Sequence, residues 1–328
     1  MKSELYKKLN NSIFISGMHR SGTSWVANIL AAGGQYLIKD EEIFLPNYLY
    51  KGTPIQIWNE YINSENEHKY LDFIYDVLSN KYSFIESIIK TSKLKDSLKV
   101  FQHKGLSIKR RLFNKSNPLI IVEPLGLLSS EWFEKSFNCQ MVIIIRHPAA
   151  IISSLKRRHI KYRFSSKDSL LTQNSFVDKH LSHLKDDIKC LPDYDDIIGQ
   201  GILLWKIFYS YVATLQSKHN NWNFIRHSDF AKDPHKNYKI LFKKLNIPFT
   251  DEVNIKIDDL CSDSNQVELP LNAKDNHKRN SQKLIYKWHD ILTNDEIKRI
   301  RNEVLSISEI WYSNSDWLPP QAQAGDSI

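Results

Sequence analysis

Ser12-Ile-Phe-Ile-Ser-Gly-Met-His-Arg-Ser-Gly-Thr-Ser-Trp25 is the stretch on which the reading of this chain turns. Ser12 to Ile15 is short, apolar and rich in β-branched and aromatic side chains, and it stops at Ser16-Gly17, which predicts a buried strand. Thr23 to Ala32 predicts a helix, halted by Gly33-Gly34. Between them, Gly17 and Gly22 let the backbone turn tightly and approach a ligand closely. The amides of residues 20 to 24 then face one concavity at a helix N-terminus, where partial positive charge favours an anion. Arg20 adds a charge-assisted, forked donor, and Thr23 and Ser24 add hydroxyls. A plain strand-to-helix turn accounts for Gly22 and Thr23. It does not account for an arginine set among small hydroxyl residues, so the loop reads as an anion site.

Working outward, Leu119-Ile-Ile-Val122 and Met141-Val-Ile-Ile-Ile145 are continuous apolar runs, as expected of parallel strands buried on both faces. Trp222 to Ile225 predicts a fourth strand. Helices are predicted from Pro148 through Leu155, from Gly199 to Lys218, from Pro234 to Leu245, and from a capping box at Thr293-Asn-Asp-Glu296 through Val304. Strands alternating with helices predict an α/β fold, three layers (α/β/α) around a mostly parallel central sheet. A single domain is expected over residues 1–318, with a helical, substrate-side insertion at about 54–112 and a frayed tail at 319–328.

The chain has 328 residues, 45 Lys and Arg against 37 Asp and Glu, and a net charge of +8. Its ordinary apolar and charged fractions exclude disorder as the main state. The basic excess suits an anionic ligand. No helix-turn-helix or zinc pattern appears, so a nucleic-acid partner is not expected. No apolar run reaches the ~20 residues of a membrane span, and no secretory leader is read at the start, so a cytoplasmic location is expected. Cys139, Cys190 and Cys261 form no CxxC pair, and the histidines form no H-E-x-x-H, so no metal is expected.

A second motif follows the third predicted strand, Ile144-Ile-Arg-His-Pro-Ala-Ala-Ile-Ile-Ser-Ser-Leu155. Arg146 stands at the strand end and Ser154 within the next helix. Across a strand-to-helix turn the two can converge on one phosphate, guanidinium fork plus hydroxyl. Two anion sites at the carboxyl ends of parallel strands suit a nucleotide with two separated phosphoryl groups.

The glycine spacing matches the P-loop G-x-x-x-x-G-K-[ST], but Thr23 holds the lysine position and the cation comes earlier, at Arg20. G-x-x-R-S-G-T-S-W instead resembles the 5′-phosphosulfate loop of the sulfotransferases that use PAPS, 3′-phosphoadenosine 5′-phosphosulfate. The resemblance implies a P-loop NTPase-like fold, PAPS as sulfate donor, and donor binding by His19, Arg20, Ser21, Gly22, Thr23, Ser24 and Trp25. Arg20 would meet the phosphosulfate, Thr23 and Ser24 the 5′-phosphate, and Trp25 the base. Arg146 and Ser154 match the family's 3′-phosphate pair. In Lys278-Arg-Asn-Ser281, ahead of Trp288, Arg279 would close over that phosphate, with Lys278 as the substitute. Arg226-His-Ser-Asp-Phe-Ala-Lys-Asp-Pro234 resembles a further family segment, with His227-Ser228 in place of its Tyr-Glu.

Sulfuryl transfer needs a base for the acceptor hydroxyl. By resemblance to carbohydrate and tyrosylprotein sulfotransferases the favoured candidate is Glu41, 21 residues after Arg20, with Glu42 beside it. Glu123, just after the second apolar run, is the other. A glutamate base leans toward a carbohydrate or glycoconjugate acceptor by analogy. The expected function is thus a sulfotransferase moving the sulfuryl group of PAPS to a hydroxyl of a small-molecule or glycan acceptor, with Arg20 catalytic. The alternatives are a P-loop kinase or NTPase and a non-catalytic nucleotide-binding relative.

Overall fold

The computed structural model describes residues 9–40, 43–47, 52–79, 117–268, 270 and 278–318. Five strands form one sheet: β1 (Ile13–Gly17), β2 (Leu37–Asp40), β3 (Leu119–Val122), β4 (Gln140–Ile145) and β5 (Asn223–Arg226), in the order β2-β3-β1-β4-β5. All four pairings are parallel, with Ile13 opposite both Ile120 and Gln140. The chain runs outward from β1 to one edge, returns, and then builds the other edge. Ligands of such sheets settle beyond the carboxyl ends of the strands, where the order reverses.

The strand period of two separates the core into two bodies. Phe14, Ile121, Met141, Ile143 and Ile145 pack on one face, and Ile13, Ile15, Ile120, Val142 and Ile144 on the other. Each buried aliphatic side chain contributes roughly 1.5–3 kcal/mol, so these short strands hold the middle layer from both sides. The helices that cover them are α1 (Thr23–Leu30), α2 (Pro148–Arg157), α3 (Ile197–Lys218) and α4 (Asn294–Ser308). Helices α2, α3 and α4 pack together over the first face. Helix α1 covers the second, against the helix Asp251–Cys261. The three-layer architecture expected from the sequence is present.

The sequence reading misses β2 and the helix at 251–261. Leu37-Ile-Lys-Asp40 is a four-residue edge strand with half of it polar, too short for a periodicity to show. Its Lys39 Nζ donates to the Val77 carbonyl at 2.7 Å. The helix did leave a signal, with Thr250 before Asp251-Glu252 and apolar positions at Val253, Ile257 and Leu260. Helix α3 begins at Ile197, two residues earlier than expected, because the Asp196 carboxylate accepts from the Gly199 amide at 2.9 Å. The predicted capping box is formed: Thr293 Oγ accepts from the Glu296 amide and Glu296 accepts from the Thr293 amide. In the 54–112 stretch, Leu71–Leu78 is helical after a turn-rich approach. Residues 80–116 and the 319–328 tail lie outside the described residues. Among the described residues no helix is long and apolar enough to cross a membrane.

Candidate active site

Three strand ends meet at the sheet's carboxyl edge, and each delivers one sequence motif. The loop after β1 turns as its glycines require. A Cβ on Gly17 would lie 2.6 Å from Ser21 Oγ and 2.8 Å from the Ile144 carbonyl oxygen. Gly22 has φ +100°, and a Cβ there would press on His227 at 2.8 Å. Arg20 is itself left-handed at φ 73°, a conformation that costs a non-glycine residue about 1–3 kcal/mol and persists only where its surroundings enforce it. Here they do. The Ser21 amide donates to the Met18 carbonyl at 2.9 Å, and the Arg146 guanidinium donates to the Arg20 carbonyl.

Helix α1 starts at Gly22 with no side-chain cap and no acidic residue in its first turn. Its N-terminal amides are therefore left to a ligand, and the macrodipole favours an anionic one. Arg20, Gly22, Thr23, Ser24 and Trp25 line a cavity of about 210 Å³. Ser21 is buried behind them. Trp25 is half-buried, edge-on to Tyr238 at 5.7 Å and tilted against His227 at 5.2 Å. Burial holds His227 well below the usual histidine pKa, with the Arg146 charge adding to it.

Arg146 and Ser154 open on the same cavity. Arg20 Nε donates to Ser154 Oγ at 3.2 Å, a direct contact between motifs far apart in sequence. The Arg146 backbone is clamped on both sides. Its amide donates to the Tyr209 hydroxyl at 3.0 Å and its carbonyl accepts from Trp205 Nε1 at 3.1 Å. Its Nε is buried with no partner among the described residues. Burial lowers the guanidinium pKa, Arg279 adds to that, and Tyr209 and Tyr312 oppose it. A buried cation lacking a counter-charge is a costly arrangement, and a bound phosphate removes the cost. The donor set therefore fits a polyanionic nucleotide.

Arg279 lines the cavity as well, whereas Lys278 pairs with Asp259 outside it. Next to Arg146, His147 is buried in an aromatic box, stacked on Trp288 at 5.2 Å and edge-on to Trp317 at 4.4 Å. Burial, with Arg226, His289 and Arg146, pushes its pKa down to about 3, so it packs as a neutral ring.

The carboxylates are placed differently. Glu123 follows β3 and is 1% exposed. Its Oε1 accepts from the Ile43 amide at 2.9 Å, and its carbonyl accepts from Ser16 Oγ at 2.7 Å. It is not among the lining residues of either cavity described here, although Pro124 and Leu125 are. Glu41 and Glu42 lie outside the described residues. They follow Asp40, which sits opposite Val122, the residue before Glu123.

The sequence chain fits one family. A model of the sulfotransferase domain matches residues 10–305. This chain belongs to the sulfotransferase family. Among solved structures, the sulfotransferase resembles the sulfotransferase domain from the curacin biosynthetic pathway at 16% identity, covering 90% of this chain and 97% of that one (TM-score 0.47). It is similar to the sulfotransferase domain of the Synechococcus PCC 7002 olefin synthase at 14%, covering 94% and 95% (TM-score 0.49). The mouse sulfotransferase SULT7A1, solved with PAP, is 14% identical, with 95% and 91% covered (TM-score 0.41). No curated protein matches.

The sequence reading of this sulfotransferase missed several wall residues, among them Arg157, Arg158, Glu268 and Lys287. A signal for two of them existed. Ser154, Arg157 and Arg158 fall at i, i+3 and i+4, one face of α2 and its end. Arg157 pairs with Glu268 at 2.9 Å. Beyond His19 lies a second cavity of about 560 Å³. Its walls include Leu45, Trp58, Leu125, Leu155, Leu204 and Phe208, with Lys161, Asp168 and Gln200 among the polar groups. Nothing in the sequence marked these positions. Among the described residues no three His, Cys, Asp or Glu side chains gather where they could hold a metal ion.

Proposed function

We propose that this sulfotransferase transfers the sulfuryl group of PAPS to a hydroxyl of an acceptor seated in the second cavity. The observation that carries this reading is the convergence of the two anion motifs on one cavity, with Arg20 touching Ser154 and Arg146 touching the Arg20 carbonyl. Bound PAPS supplies an activated sulfuryl group and a stable phosphate leaving group. The chain supplies position and positive charge, as in phosphoryl transfer. Arg20 sits where charge grows on the leaving oxygen, while Arg146, Ser154 and Arg279 hold the ribose phosphate.

The acceptor carries its hydroxyl on a body with substantial apolar surface. The sequence leaned toward a carbohydrate or glycoconjugate and a glutamate base. The apolar walls of the second cavity refine that to a glycoconjugate with an apolar aglycone, or an aryl or alkyl alcohol, since burying such a body contributes about 25 cal/mol per Å². Glu41 remains the carboxylate that the family pattern favours as base. Glu123, whose Oε1 accepts from the Ile43 amide, is the other candidate.

Calorimetric titration with adenosine 3′,5′-bisphosphate tests the donor site. Turnover with PAPS tests the acceptor, using methyl β-glucoside, n-octyl β-glucoside and 2-naphthol. Binding of the bisphosphate, and sulfation of the last two in preference to the first, is expected. Magnesium-dependent ATP hydrolysis with no PAPS consumption would favour the kinase reading. Bisphosphate binding with no turnover on any acceptor would favour a non-catalytic relative.

A further inference from the structure

One side chain belongs to both cavities. His19, the residue before Arg20, lines the donor cavity and the acceptor cavity alike. Its side chain is solvent-accessible, and its ring makes no hydrogen bond among the described residues. Glu123, by contrast, is buried, its Oε1 accepts from the Ile43 amide, and it lines neither cavity. Resting on the PAPS reading above, we propose that His19 takes the proton of the acceptor hydroxyl as that oxygen bonds to sulfur. The new oxygen–sulfur bond forms while the bond from sulfur to the 5′-phosphate oxygen breaks. The electron pair stays on that phosphate oxygen, beside Arg20. The hydroxyl proton moves to an imidazole nitrogen and is later lost to water.

A base must be unprotonated before it acts. Crowding by the cleft walls comes first among the influences on His19, then the Arg20 and Arg158 charges. All act downward from the usual histidine value. Water reaching the ring tempers the first of these. The other charges that line the two cavities are mostly cationic. Arg146, Arg279, Lys287 and the Arg157–Glu268 pair stand on the donor side, and Lys161, Arg163 and Asp168 on the acceptor side. The imidazole is therefore neutral near pH 7. A polyanion beside Arg20 offsets the guanidinium charge and raises the ring's proton affinity. The base thus strengthens when the donor is in place.

The test uses the full chain with 15N-labelled histidine. The His19 ring is titrated by NMR with and without adenosine 3′,5′-bisphosphate, and its pKa is expected to rise by about one pH unit or more on binding. Turnover with PAPS is followed on whichever probe acceptor named above reacts. His19→Gln and His19→Ala are expected to lower kcat about 100-fold or more. Their affinity for the bisphosphate should stay within about threefold. The acidic limb of the wild-type pH profile should vanish in both variants, and added imidazole should restore part of the His19→Ala rate. The proposal is overturned if His19→Gln keeps its kcat or its acidic limb, if Glu41→Gln alone removes that limb, or if the His19 pKa ignores the bisphosphate. Failure of the PAPS reading is separable, since then the wild-type chain binds no bisphosphate at all.

Discussion

The two cavities that meet at His19 are built by different means. The donor cavity takes the loop after β1, Pro124 after β3 and Arg146 after β4 from the carboxyl ends of central strands, and α2 and the segment from Arg279 to Ile291 complete its walls. Those strands are gripped on both faces, so the cationic groups they carry are held in place before any ligand arrives. The acceptor cavity borrows only Met18, His19 and Leu125 from that frame. Its remaining walls come from irregular segments near Leu45 and Trp58, from Leu155 on α2 and the stretch after it, from Tyr194, and from α3. The first site is strongly cationic and anchored on the sheet, so it suits one ligand. The second is apolar and made by connections, the part of a fold most open to change.

If that contrast is right, damage to the donor side should strike the rate hardest. Arg20→Ala removes the guanidinium proposed to meet the leaving oxygen, and its bond to Ser154. Losing one such preorganised donor costs about 100–1,000-fold in kcat. Turnover by the variant with PAPS near wild-type rates would break the comparison. Arg146→Gln comes next. It removes the guanidinium that donates to the Arg20 carbonyl, while Tyr209 and Trp205 still hold the backbone at 146. A charge-assisted bond contributes roughly 1.5–3 kcal/mol, so affinity for adenosine 3′,5′-bisphosphate should fall about 10- to 100-fold. Calorimetry reads this directly, and thermal unfolding checks that the fold survives.

The acceptor side should respond in another quantity. Phe208→Ala opens the apolar wall contributed by α3, and Phe208 is 2% exposed. KM for an apolar acceptor should rise about 5- to 20-fold, as expected when roughly 1–2 kcal/mol of apolar contact is lost. Bisphosphate affinity should not move. A variant that changed donor affinity and acceptor KM equally would show that the two cavities are one continuous structure.

How much was legible follows the same division. The β1 loop was readable because a tight anion cradle has few solutions: glycine at 17 and 22, a cation, small hydroxyls and a helix start. The Arg146–Ser154 pair was readable for a similar reason, since a buried strand end followed by a proline-started helix fixes where the arginine stands. The strands β3 and β4 announced themselves by unbroken apolar runs. The edge strand β2 did not, because an edge needs only half of its residues buried. The acceptor walls were illegible in principle. Leu45, Trp58 and Leu204 satisfy the same apolar requirement whether they line a cavity or fill a core, and only the fold brings them together. His19 was visible as a motif residue, but its place between two cavities depends on where the 160s and α3 run.

The smallest effect sharpens the border of the donor site. Lys278 and Arg279 are adjacent cations, and the family resemblance favoured Arg279 with Lys278 as the substitute. The structure separates them. Lys278 pairs with Asp259, which Lys256 also approaches at 3.3 Å, on the partly exposed end of the helix Asp251–Cys261. Exposed pairs of this kind contribute about 0–1 kcal/mol. Arg279 instead faces the cavity, close enough to Arg146 for the two charges to oppose each other. That mutual repulsion is a standing cost until a phosphate sits between them, so removing Arg279 has two opposed effects. The empty site is relieved, and the bound state loses a partner. Arg279→Ala should therefore weaken bisphosphate binding by only about 3- to 10-fold, less than an isolated arginine–phosphate contact would imply. Lys278→Ala should change it by less than about twofold, in line with a solvated pair. Equal losses in the two variants would mean that the basic segment acts through its overall charge, and raising the ionic strength would then erase both.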